Sequence, residues 1–71
     1  MSHPLIVTED GHPMQEGDRI FNYYDMKAGD IRPGSTDQQG WFYVDHDDAT
    51  SSLLDGSRIC TIEFAQRKGW I

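Results

Sequence analysis

The sequence predicts an all-β domain, a small barrel of about five short antiparallel strands with a short helical turn near its C-terminal end. Turn signals recur along the chain at the close spacing of small barrels and sandwiches. The segments between them are rich in aromatic and β-branched residues, which favour strands, and none is long enough for a regular helix. The turn signals are Asp10-Gly11, Glu16-Gly17-Asp18, Ala28-Gly29-Asp30, Pro33-Gly34-Ser35, Gln39-Gly40 and Asp55-Gly56-Ser57.

The elements follow from these signals in chain order. Residues 1–4 are expected to fray. A strand, a tight turn at Asp10-Gly11 and a short return lead to a second turn at Gly17, since such turns favour glycine. Residues 65–71 are expected to form one helical turn, with Gly69 beyond its end. The predicted strands cover residues 5–8, 19–24, 30–32, 41–45, 50–54 and 58–64.

Side-chain alternation sorts the apolar residues of each strand into two faces. Polarity alone leaves the inward face open, because both faces carry large apolar groups. A barrel of this size holds one set, so the other packs under a loop or forms an exposed patch. Alternation predicts an outward set of Tyr24, Trp41 and Tyr43; with the faces exchanged, the exposed set becomes Phe21, Tyr23 and Phe42. The predicted inward set is Phe21, Phe42, Val44, Ile62 and Phe64.

Size and charge limit the functions to consider. The 71 residues form one domain, and so short a chain builds a single small core, which oligomerisation often supplements. The net charge of −6 disfavours direct binding of nucleic acid. It is typical of a soluble surface, of a surface that meets a basic protein, or of one that imitates DNA.

The single cysteine, Cys60, excludes an internal disulfide, and its position between Ile59 and Ile62 favours a small buried hydrophobe. The chain shows no signal-peptide pattern and no apolar run of membrane-spanning length. We therefore expect a cytoplasmic protein without membrane contact.

No residue pattern predicts a catalytic, metal or cofactor site. Asp45-His46-Asp47-Asp48 has metal-binding residue types, but its spacing does not match a calcium loop, and a solvated acidic loop is the preferred interpretation. His3, His12 and His46 lack zinc spacing. Ser51, Ser52 and Ser57 have no motif that places them beside a histidine and an aspartate.

Several motifs resemble known families. The turn and strand order is similar to that of SH3-like barrels of the Tudor and KOW type, carried by Gly17-Asp18-Arg19-Ile20, a turn at 27–31, Trp41-Phe42-Tyr43-Val44 and Asp55-Gly56-Ser57-Arg58-Ile59. Over residues 10–64 the chain also resembles a group of small proteins of tailed bacteriophages of actinobacteria. The motifs there are Asn22-Tyr23-Tyr24-Asp25-Met26-Lys27, Gly40-Trp41-Phe42 and the segment from Ser52 to Cys60.

These resemblances imply a phage accessory protein in the cytoplasm of a bacterial host cell, and assign no activity to any residue. The Tudor likeness implies one further option, an aromatic cage for a methylated cation built from Tyr23, Tyr24, Trp41 and Tyr43.

The preferred prediction is a non-enzymatic adaptor or modulator that binds a host or phage protein, because aromatic anchors within a polar rim are typical of interfaces. The candidate binding residues are Tyr24, Trp41, Tyr43, Arg58 and Trp70. The alternative is a nucleic-acid-associated module that binds single strands through Arg58, Arg67, Lys68 and Trp70 or imitates DNA through its aspartates. The sequence leaves open the partner, the oligomeric state, and whether the protein is a virion component or an early host-takeover factor.

Overall fold

A computed structural model describes residues 6–71 and shows a mostly β structure with one short α-helix. A two-stranded sheet precedes a four-stranded antiparallel sheet, whose outer strand gains a one-residue fifth member through a bridge between Phe21 and Cys60. The larger sheet curls into a half-barrel. The predicted all-β class is therefore confirmed at this level; the expected fraying of residues 1–4 lies outside the described residues.

The N-terminal hairpin pairs strand β1 (Ile6–Val7) with strand β2 (Pro13–Met14) in antiparallel register. Two hydrogen bonds between Thr8 and His12 hold its turn. The Thr8 amide donates to the His12 carbonyl at 2.9 Å, and the Thr8 hydroxyl accepts from the His12 amide at 2.9 Å. Gly11 takes a φ of +80°, which glycine adopts without steric cost. The predicted sequence of strand, tight turn and return is confirmed.

The larger sheet has the order β3-β4-β5-β6, with each strand antiparallel to its neighbours. Since every connection joins adjacent strands, the sheet is a simple meander. Its strands are β3 (Arg19–Asn22), β4 (Lys27–Ile31), β5 (Phe42–His46) and β6 (Ser51–Leu54).

The turn predicted around Gly29 is wrong, because residues 27–31 are strand β4. The chain turns earlier, where the Asn22 side-chain oxygen accepts from the amides of Tyr24 and Asp25 at 3.1 and 3.3 Å. Gly29 serves packing instead: a Cβ there would lie 2.5 Å from the Asp45 carbonyl oxygen of β5. A glycine that permits close backbone approach carries the same sequence signal as a turn glycine.

The strand predicted at 58–64 is also wrong. Gly56–Arg58 forms a 3₁₀ turn, Cys60 makes its single bridge, and helix α1 (Ile62–Arg67) follows at once. Thr61 caps α1, since its hydroxyl accepts from the Phe64 amide at 3.1 Å. Such a cap favours a helix over a continued strand.

The helix predicted within 65–71 therefore begins three residues earlier, at Ile62. It ends as expected: Gly69 takes a φ of +77°, and the Trp70 amide donates back to the Ala65 carbonyl at 2.9 Å. This pattern is a glycine-terminated helix end.

The core has two parts that share strand β3. Phe42 and Val44 are fully buried on the concave side, so their predicted inward orientation is confirmed. The concave cluster consists of Ile6, Ile20, Ile31, Phe42, Val44, Leu54 and Ile59.

The second core cluster lies on the opposite side of β3, where Phe21 packs with Cys60 and Ala65 beneath α1. The prediction that grouped Phe21 with Phe42 is therefore wrong about the face, although Phe21 is fully buried. Ile62 and Phe64 are only partly buried against this cluster, because they belong to α1 rather than to a strand. Cys60 is the small buried hydrophobe expected, and burial raises the pKa of its thiol to about 11.

Candidate functional site

Arg58 is partly buried and lies between the partly buried ring of Trp41 and the exposed ring of Tyr24. Its guanidinium carbon is 4.8 Å from the ring centroid of Trp41 and 5.7 Å from that of Tyr24. Contacts of this kind are favourable because the ring face is electron-rich. We call Tyr24, Trp41 and Arg58 the aromatic–arginine cluster; sequence reasoning selected all three residues, and the structure brings them together.

Local hydrogen bonds position the cluster. Asp55 caps the 3₁₀ turn by accepting from the Ser57 amide, and its carboxylate also pairs with Arg58 at 2.8 Å. Partial burial alone would raise the pKa of Asp55, but the hydrogen bonds from Ser57 and Arg58 together outweigh it, so the pKa is lowered. The Trp41 amide donates to the Asp37 carboxylate at 2.9 Å, which fixes the loop before β5.

Tyr24 is held through its neighbour Tyr23. The two rings meet edge to face with centroids 5.2 Å apart, and the Tyr23 hydroxyl donates to the Ser57 carbonyl at 2.5 Å. The β3–β4 turn is thereby attached to the 3₁₀ turn that carries Arg58. Tyr24 itself remains 62% exposed, so its ring is accessible to a partner.

Tyr43 lies farther along the outer face of β5, two positions beyond Trp41. It is 42% exposed, and the Arg32 guanidinium carbon is 4.9 Å from its ring centroid. Its cross-strand partner Leu53 is 49% exposed. Sequence reasoning missed Leu53 and Arg32. Each is next to an inward-facing residue along the chain, and this alternation predicts that both side chains point outward.

Trp70 lies apart from the cluster. Its ring stacks on Phe21 and Tyr23 with centroid distances of 6.0 and 5.8 Å, and it is partly buried in the second core cluster. It reaches the aromatic–arginine cluster only indirectly, through Tyr23 and Tyr24. Its principal contacts are therefore those of a residue that covers the core.

The methylated-cation cage implied by the Tudor likeness does not form as an empty aromatic box. The space between Tyr24 and Trp41 faces the chain's own Arg58. The Tyr23 hydroxyl is engaged with Ser57, and Tyr43 is covered by Arg32.

Ion pairs neutralise most of the basic side chains. Four of the six Lys and Arg residues pair with aspartates, in the pairs Arg19–Asp47, Lys27–Asp48, Arg32–Asp45 and Arg58–Asp55. Arg67 and Lys68 instead lie over the Phe64 ring, at 5.8 and 5.4 Å from its centroid. Within residues 6–71 these two cations have no carboxylate partner.

The acidic segment 45–48 does not converge on one point. Asp45, Asp47 and Asp48 pair with three different basic residues. The pKa of each carboxyl lies below its usual value, chiefly because of the hydrogen bond from Arg32 to Asp45, from Arg19 to Asp47, and from Thr50 and then Lys27 to Asp48. His46 is buried, facing the opposite side of β5. Among the described residues, no group of three or more His, Cys, Asp or Glu side chains is arranged to hold a metal ion.

Hydrogen bonds also determine the tautomer of His46. The side-chain oxygen of Asn22 accepts hydrogen bonds from backbone amides. The other end of the same side chain, the Asn22 amide nitrogen, donates to Asp25 at 2.9 Å and lies 3.1 Å from His46 Nε2. Nε2 must therefore accept, and Nδ1 donates to the Thr50 carbonyl at 3.1 Å. Both ring nitrogens of His46 are engaged inside the fold.

The stabilisation from the Arg32–Asp45 pair depends on pH. Hydrogen bonds from Arg32 and, secondly, from Ser51 lower the pKa of Asp45 from 3.8 to about 2, so this contribution is complete above about pH 4 and is lost as the pH falls through about 2. We expect Asp45→Asn to lower the melting temperature at pH 7, and the difference from wild type to vanish near pH 2. Thermal unfolding followed by circular dichroism measures this; a constant difference from pH 7 to pH 2 would exclude the charge as its cause.

Comparison of the chain with models of protein families, with curated proteins and with solved structures finds no match. In the part of the chain that the structure describes, no helix combines the length and apolarity needed to cross a membrane.

Proposed function

We propose that this chain is a small SH3-like accessory protein of a bacteriophage, which acts in the host cytoplasm by binding a host or phage protein. The observation that carries the proposal is the placement of Arg58 between Trp41 and Tyr24 at the surface. Trp, Tyr and Arg are the residue types that most often dominate binding energy at protein interfaces.

The rigidity of the cluster supports the proposal. Because Arg58 and Tyr24 are already held by Asp55, Tyr23 and the 3₁₀ turn, a partner that packs on them orders few additional side-chain rotamers. Tyr43 and Leu53 extend the same outward surface with exposed apolar area. Together these residues provide apolar anchors with a charged rim, as interfaces commonly do.

A non-enzymatic role fits the hydrogen bonds and ion pairs that the titratable groups make within the fold. His46 uses both ring nitrogens within the fold, and the neighbouring aspartates are held by basic side chains. A general base needs a free, correctly placed acceptor near its substrate. The proposed activity is therefore binding without chemistry.

Affinity capture of the tagged protein from lysate of a bacterial host, analysed by mass spectrometry with and without nuclease, tests this proposal. We expect one protein to be retained in stoichiometric amount after nuclease treatment. Loss of every partner on nuclease treatment would contradict a protein-binding role.

One observation favours the alternative, a nucleic-acid-associated module. Arg67 and Lys68 lie beside the aromatic residues Phe64 and Trp70 and have no carboxylate partner within the described residues. Such a group pairs with phosphates and stacks on bases in single-strand binding proteins. Retention of nucleic acid, abolished by Arg67→Ala together with Lys68→Ala, would favour this function instead.

A further inference from the structure

Strand β6 forms an open edge of the larger sheet. In the β5–β6 register, the His46 amide donates to the Thr50 carbonyl at 2.7 Å. The backbone amides and carbonyls of the even-numbered residues of β6 therefore point toward β5. The amides and carbonyls of Ser51 and Leu53 therefore point away from the sheet. Asp55 has extended backbone angles, φ −120° and ψ 177°, so its amide continues the row of outward-pointing backbone groups.

The β6 edge has few of the features that protect other sheet edges. Proteins usually protect an open edge with proline, lysine, a bulge, a covering element or a very short strand, and β6, with four residues, is short. Strand β6 has the sequence Ser-Ser-Leu-Leu, and both Ser51 and Leu53 are exposed. At the other end of the sheet, by contrast, Cys60 pairs with Phe21 of β3. A row of accessible backbone groups beside an exposed leucine is a template for strand addition.

We propose that a second copy of this chain occupies the β6 edge, forming a two-fold dimer in which the two β6 strands pair antiparallel about Leu53. In this register Leu53 lies opposite Leu53 of the second copy, and Ser51 lies opposite its Asp55. The four-stranded sheets join into one continuous sheet. The two Tyr43–Leu53 pairs then form a single apolar stripe across the two-fold axis, burying part of the exposed apolar area.

Charge complementarity supports self-pairing in this register. Arg32 lies over the Ser51 end of the edge, 3.3 Å from the Ser51 hydroxyl, whereas the carboxylate of Asp55 is at the other end. The two-fold axis brings each Arg32 next to Asp55 of the second copy. Asp45 and Asp55 are already paired with Arg32 and Arg58, so the edge itself has little unbalanced charge.

The net charge of −6 on each copy opposes association at long range, whereas the edge contacts act at short range. Salt screens this repulsion and also the Arg32–Asp55 attraction, but the attraction acts at close range and is screened less, so raising the salt concentration should strengthen the dimer. This dependence distinguishes the β6 dimer from association driven by attraction between oppositely charged surfaces, which salt weakens.

Sedimentation velocity of the full chain, from ~10 to ~500 µM protein, tests the proposal in the range of weak interfaces. We expect a concentration-dependent shift from the 8.1 kDa monomer to a species of twice that mass, with a lower dissociation constant at ~0.5 M than at ~0.1 M NaCl. Leu53→Lys places like charges directly opposite each other and should raise the dissociation constant at least ~10-fold. The control Ile71→Lys changes the net charge equally at another exposed apolar position and should retain the dimer.

Amide hydrogen exchange gives an independent measurement that requires no variant. At high protein concentration the amides of Ser51 and Leu53 should exchange at least ~10-fold more slowly than at low concentration, while that of Ser52 should be unaffected. A monomer at every concentration, a dimer that Leu53→Lys leaves intact, or concentration-independent exchange at Leu53 would each overturn the β6 pairing.

Discussion

Replacement of Phe42 by alanine is expected to leave the protein largely unfolded at 37 °C. Phe42 is fully buried in the concave cluster, and truncation of such a side chain costs about 3 to 5 kcal/mol. Domains have a free energy of unfolding of about 0.05 to 0.15 kcal/mol per residue, so a chain this short has little reserve. Urea or thermal denaturation followed by circular dichroism measures the loss.

Trp41 provides the matched comparison, since it is adjacent in sequence, precedes β5 and is only partly buried, whereas Phe42 is fully buried. We expect Trp41→Ala to lower the melting temperature by less than ~5 °C, a change of about 1 kcal/mol in a domain of this size. Unfolding by Trp41→Ala together with a stable Phe42→Ala variant would show that the two faces are assigned the wrong way round.

Replacement of Gly29 by alanine is the second change expected to have a large effect. The added Cβ would lie 2.5 Å from the Asp45 carbonyl oxygen and 2.9 Å from the Cα of His46. Both atoms are backbone, so β4 and β5 must separate where they pair. Because overpacking typically costs about 1 to 3 kcal/mol and backbone displacement adds to it, we expect a loss of about 3 kcal/mol or more in the free energy of unfolding.

Gly34→Ala separates this steric effect from the general cost of replacing glycine. Gly34 has a φ of +76°, and no neighbouring atom lies within 4 Å of the position that an added Cβ would take, so only backbone conformational strain opposes the change. We expect it to cost about 1 kcal/mol. Equal losses from the two substitutions in denaturant titrations would contradict the packing role of Gly29.

The residue pattern predicted the fold class, the N-terminal hairpin and the strands around Phe21, Val44 and Leu53. These predictions depend on local signals, namely turn residues and period-two alternation, which act over a few residues. The inward orientation of Phe42 and Val44 followed from the same alternation.

The incorrect predictions concern residues whose role depends on distant parts of the chain. Gly29 has the appearance of a turn glycine until the proximity of β5 is known. Phe21 is buried opposite Ile20 because α1 covers the outer side of β3, so alternation alone assigns it to the wrong cluster. The last predicted strand ran through Thr61, where the helix begins instead. The hydrogen bond that Thr61 accepts from the Phe64 amide identifies it as a helix cap.

The candidate site was predictable by residue type but not by arrangement. Tyr24, Trp41 and Arg58 are widely separated in sequence and come together where Tyr23 attaches the β3–β4 turn to the 3₁₀ turn. Trp70, which has the same surface-anchor character in sequence, instead stacks against Phe21. Asp55 was identifiable in principle, since it precedes Arg58 by three positions, a common spacing for a local ion pair.

The most direct test of the proposed binding surface compares capture of the same nuclease-resistant partner by wild type, Trp41→Ala and Val7→Ala. Val7 is an exposed apolar residue outside the aromatic–arginine cluster, so its variant controls for a general loss of surface apolarity. We expect Trp41→Ala to bind ~30-fold more weakly, equivalent to ~2 kcal/mol, while its melting temperature changes little and Val7→Ala binds as wild type. Undiminished binding by folded Trp41→Ala would contradict the proposed surface.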